Sequence, residues 1–111
     1  MRALGLGEVI ESNNPNYPAG SLVTGLTGWQ DYTVISDSNP LMLVPESASS
    51  APPAALLGML GMTGCTAYFG MLEIGEPKEG ETVVVSAAAG AVGTVAGQLA
   101  KLKGARVVGI A

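Results

Sequence analysis

There is no histidine anywhere among the 111 residues, and Cys65 is the one cysteine. Without imidazole the chain lacks the commonest metal ligand and the side chain that most readily moves protons near neutrality. A single thiol rules out a disulfide framework, and a zinc site would have to be built from Cys65 and carboxylates alone, so none is expected. Basic residues are scarce as well. Five Lys and Arg stand against nine Asp and Glu, for a net charge of −4, and no basic cluster is longer than Lys101-Leu-Lys103. Nucleic acid and anionic membrane surfaces are therefore poor partners. Charged residues make up only 13% of the chain and apolar ones 48%, too apolar a balance for disorder. A chain of this length has room for one core.

Residues 47–72 carry no charge, a run long enough to span a bilayer. Its contents argue otherwise. Pro52 and Pro53 stand near its start, Gly58, Gly61, Gly64 and Gly70 punctuate it, and Thr63, Thr66 and Tyr68 add polarity. Neither end is flanked by Lys or Arg. A second uncharged run, 82–100, contains a glycine-rich turn. Two apolar runs in a compact α/β core account for both, and no membrane span is expected. Glu8 and Glu11 interrupt the N-terminal apolar stretch, so no signal peptide is read and a cytoplasmic location is expected.

The two halves differ in texture. Leu4–Glu11 alternates loosely, and Asn13-Asn-Pro-Asn-Tyr-Pro-Ala-Gly20 is dense turn chemistry. Leu22–Thr24 and Trp29–Ile35 read as short strands separated by Gly25 and Gly28, and Leu41–Val44 as another closed by Pro45, the pattern of part of a small β-barrel. Ser47–Ser50 followed by two prolines signals a helix start. From Ala54 one broken helix or two consecutive ones are expected, with Gly61 and Gly64 marking the joint.

The second half holds the chemistry. Thr82-Val-Val-Val-Ser86 is a buried-strand pattern, Ala87-Ala-Ala-Gly90-Ala-Val-Gly93 a glycine-containing turn, and the stretch to Lys103 a small-residue helix without proline. Ala105–Ile110 is a second β-branched strand, predicted to lie parallel to the first. Such a turn lets backbone approach a pyrophosphate at Gly90, while Gly93 lets the helix pack closely on the strand. Free N–H groups and the positive end of the helix dipole then face the phosphates. Ala88 stands where the usual G-x-G-x-x-G fingerprint has its first glycine, so the bare motif reads equally as an ordinary strand-to-helix turn.

The larger pattern is more specific. Gly61-Met-Thr-Gly-Cys-Thr-Ala-Tyr68-Phe-Gly, then Gly75-Glu-Pro-Lys-Glu-Gly-Glu-Thr-Val-Val-Val-Ser-Ala-Ala-Ala-Gly-Ala-Val-Gly93, resembles the zinc-free medium-chain dehydrogenase/reductases. Within them it is most similar to the prostaglandin reductase, leukotriene dehydrogenase and alkenal double-bond reductase group. Val23-Thr-Gly-Leu-Thr-Gly-Trp-Gln-Asp-Tyr32 resembles the barrel segment of that group, so the likeness covers essentially the whole chain. The alanine-for-glycine variant of the loop is what this group shows.

The resemblance implies an α/β fold: part of a GroES-like β-barrel over residues 1–52, then linking helices and the first βαβ of an incomplete Rossmann half, a doubly wound parallel sheet, over 53–111. It implies NADPH as cofactor, an enal or enone as small-molecule substrate, and a homodimer for the full-length form. Gly90, Ala91, Val92 and Gly93 match the group's pyrophosphate loop. Met62 and Thr66 match positions near the nicotinamide, although a gap-filling Met and a Thr bonded within its own helix are equally good readings. Leu26, Thr27 and Trp29 match the segment bordering the substrate pocket, with packing the competing role for Trp29. Tyr68 could serve as an acid; its spacing with Phe69 and Leu72 favours a core stripe. Cys65 is expected to be a buried, inert thiol.

By the same resemblance, the chain is an internal fragment. The residue that reads the adenosine ribose follows the second strand, past Ala111, so these residues do not distinguish NAD from NADP. No catalytic residue is assigned. Two further readings stand beside the double-bond reductase: a quinone reductase of the same fold, and a non-catalytic truncated chain.

Overall fold

The computed structural model describes residues 2–111. Contacts divide the chain into two compact units, Met1–Leu57 and Gly58–Ala111.

The first unit is built on a three-stranded antiparallel sheet of β1 (Leu4–Glu8), β2 (Leu22–Leu26) and β3 (Met42–Leu43), in that order. Leu4 pairs with Leu26 and Glu8 with Leu22, and Val23 pairs with Leu43. The β1–β2 connection is closed by Val9 N–H donating to the Ser21 carbonyl at 2.9 Å and Gly20 N–H to the Val9 carbonyl at 2.8 Å. Gly20 takes a φ of +85°, which glycine adopts without a Cβ penalty. Inside the connection Asn14 makes the side-chain turn its residue type favours, its Oδ1 accepting from Asn16 N–H at 2.9 Å. Val9, Val23 and Leu41 form the buried core, with Tyr17 and Ile35 packed against it. Burying one such aliphatic side chain contributes about 1.5–3 kcal/mol, so three make a small core. The Tyr17 hydroxyl donates to the Leu41 carbonyl at 2.8 Å and pins the long connection to the approach to β3.

The strand expected over Trp29–Ile35 does not form; that stretch is irregular up to a bridge between Ser36 and Asn39. A strand needs a neighbour for its N–H and C=O groups, and no described segment pairs with this one. After Pro45 comes a short 3-10 turn, Glu46–Ala48, with Ser49 Oγ donating to the Glu46 carbonyl at 2.7 Å. Helix α1 (Pro53–Leu57) then starts on a proline, where the missing N–H has no partner to lose, and lies against β1.

In the second unit, α2 (Met62–Tyr68) follows a turn at Gly58–Gly61, so the helical stretch is two consecutive helices. Thr63 Oγ1 donates to the Gly58 carbonyl at 2.8 Å across that turn. A Cβ on Gly64 would run into the Met59 carbonyl, so only glycine fits there. A π-helical turn, Phe69–Ile74, continues α2. Strand β4 (Thr82–Ser86), helix α3 (Ala91–Leu102) and strand β5 (Arg106–Ile110) complete the unit. The strands are parallel, with Thr82 opposite Arg106 and Ser86 opposite Ile110, as the strand–helix–strand reading requires.

Helix α3 packs against α2 and both strands through small residues. Ala96 and Ala100 are buried in it, with Ala67 of α2, Val85 of β4 and Ala105 also buried. It ends in a Schellman motif: Ala105 N–H reaches the Ala100 carbonyl, Gly104 N–H the Lys101 carbonyl, and Gly104 sits at φ +81°. The other sheet face is open, with Val84 60% exposed and Val108 and Ile110 beside it in register.

Candidate functional site

The turn between β4 and α3 is built without any side-chain capping group. Gly90 is the N-cap of α3, at φ −76° and ψ 169°, and no side-chain oxygen caps it. The N–H groups of Ala91, Val92 and Gly93 have no backbone or side-chain acceptor among the described residues. Three unpartnered donors at the positive end of a twelve-residue helix can accept an anion with no cationic side chain needed.

Three of the loop carbonyls, those of Ala87, Ala88 and Gly90, have a donor within reach. Ala87 accepts from Gly90 N–H at 2.9 Å. Gly90 accepts from Thr94 N–H at 2.9 Å and from Thr94 Oγ1 at 2.8 Å, and the same Oγ1 lies 3.2 Å from the Ala88 carbonyl. Ala88 N–H in turn donates to the Ile110 carbonyl at 2.9 Å, tying the loop to the end of β5. Ala87 adopts φ +49°, a left-handed conformation that costs a residue with a Cβ about 1–2 kcal/mol.

Gly93 has a steric role. A Cβ there would overlap the Ala87 carbonyl oxygen and lie 2.9 Å from the Ala88 Cα, so the first turn of α3 rests directly on the loop backbone. Gly90 is less constrained, its virtual Cβ 3.1 Å from the Ala87 oxygen. Sequence reasoning places the close approach of Gly93 on the strand; the structure puts it on the turn after that strand. An open groove of about 330 Å³ runs beside the loop, lined by Ala88, Gly93, Thr94, Gly97, Gln98 and Lys101 among others. Thr94 escapes a reading by motif, because its hydroxyl belongs to no fingerprint. The available signal is a hydroxyl one turn beyond an N-cap that cannot cap itself.

The other sequence-predicted residues are more scattered. Met62 and Thr66 lie one turn apart on α2 in the second unit, and Thr66 Oγ1 donates to the Met62 carbonyl at 2.8 Å. Met62 is 66% exposed, so it fills no core gap among the described residues. Tyr68 and Phe69 meet edge to face, ring centroids 5.5 Å apart, but both are exposed and form no core stripe. Cys65 is exposed as well, against the expectation of burial, since no described residue covers that side of α2. In the first unit Leu26 ends β2, Thr27 donates through Oγ1 to the Gly28 carbonyl at 3.1 Å, and Trp29 is 82% exposed. Of these three, only Thr27 lines the unit's cavity of about 770 Å³. That cavity carries Glu8, Glu11 and Asp31 and no Lys or Arg, a lining that repels anions.

A family profile described as the N-terminal domain of oxidoreductase matches residues 1–44. The NADPH-dependent curcumin reductase of Escherichia coli is 52% identical over 106 residues, 96% of this chain and 30% of that protein. Prostaglandin reductase 1 of Mus musculus is 52% identical over 107 residues, 96% of this chain and 32% of its own length. The crystal structure of CurA in complex with NADPH from Vibrio vulnificus superposes with a TM-score of 0.81 at 45% identity, covering 98% of this chain and 32% of that one. The chain thus spans about a third of the length of the relatives it matches. By these matches the chain is similar to the N-terminal domain of oxidoreductase over residues 1–44 and, over nearly its whole length, to about a third of curcumin reductase, prostaglandin reductase 1 and CurA.

Proposed function

We propose that this chain is part of an NADPH-dependent oxidoreductase that reduces the carbon–carbon double bond of α,β-unsaturated aldehydes or ketones. The observation that carries the reading is the donor-only start of α3, directly after a parallel strand, in a chain 45% identical to an NADPH-bound structure. In this reading the Ala91, Val92 and Gly93 N–H groups, with Gly90 allowing close approach, hold the pyrophosphate. The nicotinamide, when bound, supplies the hydride that adds to the β-carbon of the substrate, and a proton then adds to the α-carbon. The chain's own part is to bind and orient, which converts a bimolecular encounter into a positioned one. Met62 and Thr66 would lie toward the nicotinamide, and Leu26, Thr27 and Trp29 toward the substrate. No residue here is assigned the proton, and the chemistry as proposed uses no zinc.

The division of labour runs with the sequence: a barrel part over 1–52 and a nucleotide part over 53–111. The whole protein is proposed to act as a homodimer in the cytoplasm. The test is to purify the complete natural chain that carries these residues and follow NADPH and NADH oxidation with a short enal, an enone and a quinone. Turnover of the enal with NADPH supports the reading. Turnover of quinones alone points to a quinone reductase of the same fold, and no cofactor binding at all overturns the oxidoreductase reading.

A further inference from the structure

The Thr94 hydroxyl has one proton and two carbonyls within reach: Gly90 at 2.8 Å, four residues back, and Ala88 at 3.2 Å, six residues back. The first contact is the ordinary one a threonine makes inside a helix. The second is different, because Ala88 lies outside α3, in the turn. We propose that Thr94 is a positioning residue for cofactor binding, its hydroxyl holding the Ala88 and Gly90 carbonyl oxygens against the helix and away from an approaching pyrophosphate. The inference rests on the NADPH reading above and adds a residue that the glycine motif does not contain.

The physical reason is charge. A phosphate oxygen is stabilised by the free N–H groups of Ala91, Val92 and Gly93 and repelled by any carbonyl oxygen that swings in among them. Of the turn's carbonyls, Ala87 is occupied by Gly90 N–H and Gly90 by Thr94 N–H, while Ala89 has no donor among the described residues. Apart from the Thr94 hydroxyl, the Ala88 carbonyl has no donor among the described residues. The turn also holds Ala87 at φ +49°, so it is under tension and gains from a tether. Thr94 is exposed, and its side chain is not needed for core packing. Replacing it therefore tests the hydroxyl and not the fold.

The experiment compares Thr94→Val, which keeps the shape and removes the hydroxyl, with Thr94→Ser, which keeps the hydroxyl, in the complete natural chain that carries these residues. NADPH affinity is measured by calorimetry, inorganic pyrophosphate is titrated as a competitor, and KM and kcat are determined with a short enal. For Thr94→Val we expect NADPH and pyrophosphate to weaken together by about three- to tenfold, the worth of one hydrogen bond. The KM for NADPH should rise by the same factor, with kcat and the KM for the enal unmoved. Thr94→Ser should restore affinity to within about twofold, and thermal melting should confirm that both variants are folded. Unchanged NADPH affinity in Thr94→Val overturns the proposal. So does a Thr94→Ser variant as weak as Thr94→Val, because the methyl's packing would then be what matters. A parent protein that binds no NADPH overturns the functional reading first, and the role of Thr94 falls with it.

Discussion

The carbonyl oxygen of Ala87 occupies the space into which a side chain on Gly93 would project. The helix and the turn that precedes it therefore touch backbone to backbone, and the position of the free N–H groups depends on that contact. Gly93→Ala should lift the first turn of α3 away from the loop. We expect a loss of about 1–3 kcal/mol in stability, as for an overpacked interface, together with at least a tenfold loss of NADPH affinity. Gly90→Val should be milder for the fold and still weaken the cofactor, by crowding the phosphate path. Denaturant melts and calorimetry on the two variants separate these effects; equal cofactor affinity in both and in the parent would reduce the loop to a plain turn.

Ala87 makes a second test of the same turn. At φ +49° a β-branched side chain is strained, so Ala87→Val should destabilise by about 1–3 kcal/mol. Ala87→Gly relieves the strain while adding unfolded-state freedom of about 0.4–1 kcal/mol, so its melting point should stay level or rise slightly. The diagnostic quantity is the gap between the two variants in a urea titration. A Val variant as stable as the Gly variant would mean that the turn relaxes out of the left-handed region.

Gly64 governs the turn that leads into α2. A Cβ there meets the Met59 carbonyl and lies 2.9 Å from the Met59 Cα, and backbone on both sides leaves little room to yield. Gly64→Ala should destabilise the second unit by about 1–3 kcal/mol, read by thermal or urea unfolding. Gly70→Ala is the control, since open space surrounds that position, and should gain or lose no more than about 1 kcal/mol.

Residues 1–111 expressed alone should bind NADPH at best in the millimolar range, roughly −4 kcal/mol, and should not oxidise it with an enal. The turn supplies pyrophosphate contacts, while a dinucleotide site also requires the second mononucleotide half to enclose the nicotinamide. The open sheet face at Val84, Val108 and Ile110 should make this chain prone to aggregate. Light scattering and cofactor fluorescence check both statements. A monomeric, sharply melting chain that consumes NADPH would falsify them, and attention would turn to Tyr17, Tyr32, Tyr68 and Cys65 as acids.

The parts of the fold legible in the sequence are those with local causes. The β-branched runs at Thr82–Ser86 and Ala105–Ile110 and the proline at the start of α1 each act within a few residues, and each does in the structure what its chemistry dictates. Trp29–Ile35 has a strand's composition and no ladder partner, and composition does not report a partner. Cys65, Met62 and Tyr68 are harder still, because burial depends on what lies over a helix face. The glycine loop is legible at the level of type. The tether from Thr94 to Ala88 is not, because it depends on a turn geometry six residues long rather than on spacing within a helix.

The π-helical turn after Tyr68 shifts the phase of the side chains it carries relative to α2. Gly75 N–H donates to the Gly70 carbonyl, five residues back rather than four, so one residue is spliced into the helical screw. At 3.6 residues per turn, one extra residue rotates the downstream side chains by about 100° relative to an unbroken helix. Leu72 and Ile74, within the turn, are therefore out of phase with a stripe begun on α2. Removing one residue between Phe69 and Ile74 would turn the later side chains back into line with α2, a change of angular registration with almost no change in composition.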